Sequence, residues 1–459
     1  MGNLSTELVG TRFLTERELS KLPLQGGLLS VAQLEARLSH YTPYQLAPFA
    51  ADLTWLSKLK ARCPTSTSRA RIMARAWHGT LLLEIETEQV LIDPGNETLS
   101  AVPNDFVPSV IAITHAHADH CGGLLQAAQR YPKASIIMTS QTFRLLQLLP
   151  DAALIEALFE ARGHLIETDG EPWRVAGITF RAYPAGHLLG AAMLDITLGD
   201  TRLLVTGDFA LRPTGGLTGA VLPDVEYDVV FMEATHAWDV DEPTADPVAN
   251  HARLRQTCTT LADNAVDRIL IAAAALGEAQ EVYAALATAQ RAGALPRFTL
   301  RWTGKAAQVT QMYAQVSPHP LSIWSIPPHV LSHNDSIPSR SIVIASGFED
   351  QLHGAAQSMA QSLTNDPRAA LLMPQLGLVA SQAEFVSAGR SQSGAQMLRY
   401  RLSLHASYRE LATAALALCC RQVALYHAPR TDNSPLADLL NQSGRRVTVL
   451  SDTIQRIGV

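Results

Sequence analysis

The sequence predicts an α/β fold, and three observations support this prediction. Short apolar runs of strand length recur along the chain, and segments with apolar residues at helical spacing lie between them. Several of the runs end directly at a histidine, an aspartate or a glutamate. Hydrophobic residues make up 47% of the 459 residues and charged residues only 17%, so the chain can bury a large core. We therefore expect sheets flanked by helices, in about two to four domains.

Composition excludes several classes of protein. The net charge of -6 argues against a protein that coats nucleic acid through bulk positive charge, although it leaves room for a local basic groove. No apolar run reaches the roughly 20 residues that a membrane span needs, and the N-terminus does not have the pattern of a secretory signal. The five cysteines are scattered without a C-x-x-C pair, which predicts a reduced, cytoplasmic protein. Any metal must then be held by histidines and carboxylates.

Residues 1–70 carry no catalytic constellation. Apolar residues at helical spacing over 31–40 and 46–59 predict an N-terminal helical extension. An extension of this size is a candidate for docking a partner protein or for forming a homodimer.

The richest group of metal-ligand residue types lies at 115–120, where three histidines and one aspartate fall within six residues. The apolar run at 109–113 predicts a short buried strand before them, and a helix is predicted to follow. A strand that ends in such a turn directs several side chains at one point, and imidazole and carboxylate are ligands that Zn²⁺ prefers. The alternative is a chance cluster on a surface turn, which the strand and helix on either side disfavour.

Three later strands end in the same manner. His187 follows the apolar strand at 178–183, Asp208 follows the one at 202–207, and Glu233 follows the one at 229–232. A single histidine or aspartate at such a place is usually structural, so it is the recurrence that favours a metal site. Residues 76–85 and 89–95 predict a hairpin whose first strand runs over 76–85. Asp93, at the end of the second strand, suits a ligand brace and an ordinary turn aspartate equally well.

The stretch after Glu233 also alternates between strands and helices. Strands are predicted at 268–273 and 341–346, and a helix is predicted at 278–291. Farther along, His405 lies between a predicted strand and a helix, and the apolar run at 411–420 predicts a core helix. His427 lies at another strand end. Spacing alone favours a structural role for each of these two histidines.

Taken together, these motifs resemble those of the metallo-β-lactamase superfamily and, within it, of the β-CASP nucleases. The specific match is His115-x-His117-x-Asp119-His120. The other residues that look like family motif positions are Asp93, His187, Asp208, Glu233, His405 and His427.

The resemblance covers residues 71–459 and implies an αββα metallo-β-lactamase sandwich with an inserted α/β β-CASP cap. The implied organisation is a helical extension at 1–70, the first part of the metallo-β-lactamase domain at 71–235, the β-CASP domain at 236–400 and the second part of the metallo-β-lactamase domain at 401–459.

The resemblance also implies roles for individual residues. One Zn²⁺ would be held by His115, His117 and His187, a second by Asp119, His120 and His427, with Asp208 between the two. The implied catalytic residues are His405 as general acid, Glu233 as the residue that orients it, and Asp119. The candidates for substrate binding are Arg409, Arg430 and Ser403.

The function expected from these residues is zinc-dependent, endonucleolytic hydrolysis of RNA, because a histidine at the position of His427 resembles the RNA-acting members. A DNA nuclease of the same fold is the first alternative. The metal motif by itself also allows a hydrolase of a lactone, ester or thioester, and a non-enzymatic scaffold is the fourth hypothesis.

Overall fold

The computed structural model describes residues 71–457 apart from 78, 97, 169, 241–246, 297, 317–328, 333, 348–351, 375–393 and 429–433. The helical extension predicted at 1–70 and the substrate contact predicted at Arg430 lie outside these residues. The chain divides into two compact units, with changes of unit after residues 213, 217, 241 and 404. We call the unit with residues 71–213, 218–240 and 405–457 the sandwich unit, and the unit with residues 214–217 and 247–404 the inserted unit.

The sandwich unit contains two seven-stranded sheets. The strands of the first sheet are β1 (Ile72–Trp77), β2 (Thr80–Ile85), β3 (Glu88–Ile92), β4 (Val110–Ala112), β5 (Ser135–Met138), β6 (Gly163–Leu165) and β20 (Gln455–Ile457). Those of the second sheet are β7 (Trp173–Val175), β8 (Ile178–Pro184), β9 (Ala192–Leu198), β10 (Thr201–Val205), β11 (Glu226–Glu233), β18 (Cys419–Tyr426) and β19 (Arg446–Val449). The strand orders are β20-β1-β2-β3-β4-β5-β6 and β19-β18-β11-β10-β9-β8-β7.

One hydrophobic core joins the two sheets. Leu81 and Ile92 of the first sheet belong to the same buried cluster as Phe180 and Val205 of the second. Along β1 the residues alternate between buried and partly exposed, as expected for a strand with one face on a core. The predicted α/β fold with a sandwich of sheets is therefore confirmed.

The strand directions place the candidate ligands at one edge of each sheet. β3 and β4 run parallel, and so do β10, β11 and β18. The carboxyl ends of parallel strands meet at a common edge, where α/β proteins place their sites. Asp93, His115, Asp208, Glu233 and His427 all lie at or just after the carboxyl ends of these strands.

The start of the first sheet differs from the prediction. The sequence suggested one strand over 76–85, whereas β1 ends at Trp77 and β2 begins at Thr80. Gly79 lies in the turn between them, where a Cβ atom would lie 2.6 Å from the imidazole of His120. The close approach of backbone and imidazole explains why a glycine occupies this turn.

Helices of the sandwich unit connect and cover the strands. They are α1 (Ala118–Cys121), α2 (Leu124–Arg130), α3 (Ser140–Leu146), α4 (Ala152–Arg162), α9 (Tyr408–Ala417) and α10 (Pro435–Gln442), with a 3₁₀ helix at Thr98–Ala101. The apolar run at 411–420 suggested a helix to its end, but α9 stops at Ala417, and Cys419 and Cys420 open β18. A fully buried strand and a buried helix share one apolar pattern, so the pattern could not locate this boundary.

The inserted unit is built on one parallel sheet. Its strands are β12 (Arg268–Ala273), β13 (Thr299–Thr303), β14 (His329–Val330), β15 (Ser341–Ser346), β16 (Ala369–Pro374) and β17 (Gln396–Tyr400), in the order β14-β13-β15-β12-β16-β17. Its helices are α5 (Pro247–Asp263), α6 (Glu278–Arg291), α7 (Lys305–Val316) and α8 (Gly354–Leu363). Buried clusters lie on both faces of the sheet, as parallel sheets require. Among the helices of the described residues, none is long and apolar enough to cross a membrane.

Candidate metal centre

The structure brings the predicted ligands together in the sandwich unit. Four overlapping groups each offer ligand atoms within 4.8 Å of one another. The groups are His115, His117, His187 and Asp208; Asp119, His120 and His427; Asp93, His115 and His120; and Asp208, Glu233, His405 and His427. Two of these groups correspond to the two ligand sets that the motif resemblance implies, and a third places the Asp93 carboxylate beside His115 and His120.

The first set surrounds the imidazole of His117. Its Nδ1 lies 3.2 Å from His115 Nε2 and 3.1 Å from His187 Nε2. Asp208 Oδ2 lies 3.5 Å from His115 Nε2 and 3.7 Å from His187 Nε2. Three imidazoles and one carboxylate oxygen therefore converge on one point.

The second set is built around Asp119. Asp119 Oδ2 lies 3.6 Å from His120 Nε2 and 3.4 Å from His427 Nε2. The two histidines also approach Asp208, with His120 Nε2 3.2 Å from Oδ2 and His427 Nδ1 3.0 Å from Oδ1. Asp208 thus belongs to both sets, which is the position required of a carboxylate between two cations.

These residues fit divalent cations. Ligands at 2.0–2.1 Å around a tetrahedral Zn²⁺ lie roughly 3.4 Å from one another, close to the spacings within each set. His120 Nε2 and Asp208 Oδ1 are buried, and the approaches of 3.2 Å from His120 Nε2 to Asp208 Oδ2 and of 3.0 Å from His427 Nδ1 to Asp208 Oδ1 lack the geometry of hydrogen bonds. Buried polar atoms of a native protein normally have a partner, so an ion is the partner that this arrangement favours.

Asp93 holds the ligand turn from behind. Its Oδ1 accepts a hydrogen bond from the Thr114 backbone N–H at 2.7 Å, and its Oδ2 accepts one from the Thr114 hydroxyl at 2.5 Å. His120 Nδ1 lies 2.9 Å from Oδ2, so the carboxylate accepts the Nδ1 proton and leaves Nε2 as a ligand atom. The Thr114 hydroxyl donates to Asp93 and can therefore only accept from His115 Nδ1, 3.0 Å away. This leaves Nε2 of His115 as a ligand atom as well.

Burial and the carboxylates shift the pKa values of neighbouring histidines in opposite directions. Burial, together with the charge of His120, holds the pKa of His115 well below its ordinary value. Burial acts against the charged form of His120 as well, but Asp208 and Asp93 outweigh it and raise the pKa of His120 well above its ordinary value. Burial also opposes the charged form of His427, but the charge of Asp208 outweighs it, and the pKa of His427 is raised to about 10. Since imidazole ligands are neutral, a bound cation would replace these protons.

His405 and Glu233 form the next layer of the centre. His405 Nδ1 lies 3.4 Å from Glu233 Oε1 and 3.7 Å from Asp208 Oδ2. The Glu233 side chain is fully buried, while 22% of the His405 side chain is exposed. The partly exposed imidazole can meet a substrate, and the buried carboxylate can set its orientation.

The candidates for substrate binding are placed separately. Arg409 is partly buried in the first turn of α9, in the sandwich unit. Ser403 belongs to the inserted unit. Their assignment to substrate binding stays a prediction.

Sequence reasoning missed several residues around His405. The Thr235 hydroxyl lies 3.3 Å from His405 Nδ1, and its backbone N–H donates to Glu233 Oε2 at 2.9 Å. His236 forms a buried pair with Asp239 at 2.7 Å, and its ring centroid lies 6.1 Å from that of His405. No motif points to these residues, although all of them follow Glu233 directly along the chain.

Comparison with known proteins gives a consistent result. Residues 80–257 match the family model described as the metallo-beta-lactamase superfamily. Cleavage and polyadenylation specificity factor 73 of Drosophila melanogaster is 31% identical over 226 residues, which are 44% of this chain and 32% of that protein. Endoribonuclease YSH1 of Kluyveromyces lactis is 28% identical over 218 residues, 42% of this chain and 28% of that protein. The RNase J-like protein of Methanocaldococcus jannaschii is 26% identical over 252 residues, 51% of this chain and 58% of that protein.

A solved structure supports the fold. A protein of unknown function from Enterococcus faecalis superposes with a TM-score of 0.51 at 12% identity, over 84% of this chain and all of the other. The chain spans about a third of the length of the first curated relatives that it matches. The resemblance inferred from the motifs is confirmed, at modest identity over somewhat less than half of the chain.

Proposed function

We propose that this chain, which carries a metallo-β-lactamase superfamily domain, is a zinc-dependent ribonuclease that hydrolyses RNA phosphodiester bonds endonucleolytically. One observation carries the proposal: the buried carboxylate of Asp208 lies 3.0–3.7 Å from nitrogens of five histidines. Four of these histidines belong to the two ligand sets, and the fifth is His405. A metal site and a candidate proton donor therefore share one carboxylate.

The ligand sets would hold two divalent cations, one on His115, His117 and His187 and one on Asp119, His120 and His427. When bound, such cations would neutralise the phosphodiester and lower the pKa of the attacking water. Asp208 would contact both cations. Asp93 would hold the His120 imidazole in place by accepting its Nδ1 proton.

His405 would supply the proton that the leaving oxygen needs. Histidine suits this step because its ordinary pKa lies near neutral pH. Glu233 would orient the imidazole through Nδ1, and Thr235 would hold Glu233 Oε2 through its backbone N–H. Asp119, 55% exposed, is the ligand most open to a substrate.

RNA is favoured over DNA because relatives of this chain bear the name endoribonuclease. We also propose that the protein acts in the cytoplasm, because the four described cysteines are buried and form no disulfide.

The test is a side-by-side assay on the purified protein. We expect about two zinc ions per chain by plasma mass spectrometry, and cleavage of labelled single-stranded RNA in the middle of the strand. A DNA oligomer of the same sequence is the control. If DNA is cut faster than RNA under the same conditions, the proposed substrate is wrong, and a chain without bound metal would overturn the mechanism.

A further inference from the structure

A nearly buried ion pair lies beside His405 and is not part of either ligand set. Arg212 lies four residues after Asp208, and Glu410 lies five residues after His405. Arg212 Nη1 is 2.6 Å from Glu410 Oε2, with side chains only 13% and 6% exposed. The Arg212 backbone N–H also donates to Glu410 Oε1 at 2.8 Å. The pair therefore joins the segment that follows Asp208 to the segment that follows His405.

Glu410 also fixes the start of α9. Its Oε2 accepts hydrogen bonds from the backbone N–H and the hydroxyl of Ser407, both at 2.9 Å. The Ser407 hydroxyl in turn accepts from the Glu410 backbone N–H, which completes a capping box. The helix begins at Tyr408, three residues after the candidate proton donor, so its first turn restrains the loop that carries His405.

Arg212 makes a contact that helix capping does not need. Its Nη1 donates to the backbone carbonyl of His405 at 3.1 Å, in addition to its bond with Glu410. The Arg212 guanidinium thus binds the backbone of His405, and the Arg212 backbone is part of the segment that follows Asp208. Burying an ion pair costs desolvation free energy, so a buried pair is weak evidence for a role in stability alone.

We infer that Arg212 and Glu410 are positioning residues that set the distance between the His405 imidazole and the Asp208 carboxylate. The inference rests on the proposed function, since it assigns these two residues to the proton transfer by His405. A shift of about 1 Å in a reacting group can cost about 10²-fold in rate, so the hold on the backbone matters for catalysis.

The experiment compares two substrates that differ in their need for a proton. Single-stranded RNA has a leaving alkoxide that must be protonated, whereas bis(p-nitrophenyl) phosphate releases an anion that needs no proton. We expect Arg212→Met to lower kcat on RNA by about 10²-fold and on the p-nitrophenyl diester by less than about fivefold, with zinc content unchanged. Arg212→Lys keeps a donor and a charge, so it should recover part of the rate on RNA.

Arg202→Met is the matched control. Arg202 also pairs with a buried carboxylate of the sandwich unit, Asp195, at 2.5 Å, but it contacts no segment of the metal centre in this pairing. The control should lower the unfolding temperature and leave the ratio of the two rates as in the wild type. Equal losses on both substrates in Arg212→Met, or no loss on either, would overturn the inference.

Crystal structures of the wild type and Arg212→Met separate this inference from the proposed function. We expect His405 Nδ1 to remain near Glu233 in the wild type and to move by about 1 Å or more in the variant. If the wild type cuts no RNA, the proposed function fails, and the displacement of His405 alone decides the inference. An unmoved His405 in the variant would refute the positioning role.

Discussion

Glu233 in the sandwich unit and Glu281 in the inserted unit are both buried glutamates beside a histidine. Glu281 Oε1 lies 2.7 Å from His251 Nε2, and its Oε2 accepts a hydrogen bond from the Gly215 backbone N–H. In Glu233, Oε2 accepts from Thr235, whereas Oε1 lies 3.4 Å from His405 Nδ1 and has no hydrogen-bond partner among the described residues.

This difference is the basis on which we propose a structural role for Glu281 and a functional role for Glu233. Glu281 has both oxygens occupied by donors of its own unit, so it fastens the turn at 214–217 to α6. Glu233 Oε1, in contrast, accepts no hydrogen bond with good geometry. It lies beside Nδ1 of the partly exposed His405 imidazole, which it can orient. Native proteins leave few buried polar atoms without partners, and those few call for a functional explanation.

The largest effect should come from Asp208→Ala, because this carboxylate belongs to both ligand sets. We expect bound zinc to fall from about two ions to fewer than about one, with no detectable cleavage of RNA. Plasma mass spectrometry on the purified variant measures the loss. Glu281→Ala is the control that should retain the metal, and an Asp208→Ala protein with both ions would show that Asp208 is not a ligand.

His405→Ala should lower the rate of RNA cleavage without changing the zinc content. We expect a loss of about 10²–10⁴-fold in kcat on RNA, the range for removal of a general acid. Zinc content should stay as in the wild type. His251→Ala removes the corresponding histidine of the inserted unit and should leave the rate nearly unchanged. Full activity in His405→Ala would remove the general-acid assignment.

Asp93→Asn should weaken the metal site through its supporting contacts. The amide has one acceptor oxygen where the carboxylate has two, so it cannot accept from the Thr114 backbone N–H and from His120 at once, and loss of such a contact typically costs about 10–100-fold in metal affinity. Titration with a competing zinc chelator measures this change. Asp195→Asn, a buried aspartate paired with Arg202, is the control, and equal affinity in the two variants would contradict the role of Asp93.

The smallest effect is expected for Glu281→Ala. The substitution leaves the Gly215 N–H and His251 without their acceptor, which should lower the free energy of unfolding by about 1–3 kcal/mol. Urea denaturation measures the change, and Glu281→Gln should lose less. Loss of zinc in this variant would mean that the two glutamates do not differ as described.

Sequence patterns predicted the strands and helices where apolar runs had clear ends. The helix at Glu278–Arg291 and the strand at Ser341–Ser346 lie where they were expected. The patterns failed where one apolar run covers two elements, as at the end of α9, or where a glycine turn interrupts a run, as at Gly79. In both cases periodicity carries no signal for the boundary.

By itself, the sequence determined which residue types could bind metal and where they lie relative to strand ends, because 115–120, His187 and Asp208 follow apolar runs directly. Only the tertiary structure decided which ligands share a point, because β10, β11 and β18 are neighbours in one sheet although far apart along the chain. The tertiary structure also decided that Arg212 donates a hydrogen bond to the carbonyl of His405. The two residues are 193 positions apart, and their contact depends on how two strand-end segments pack.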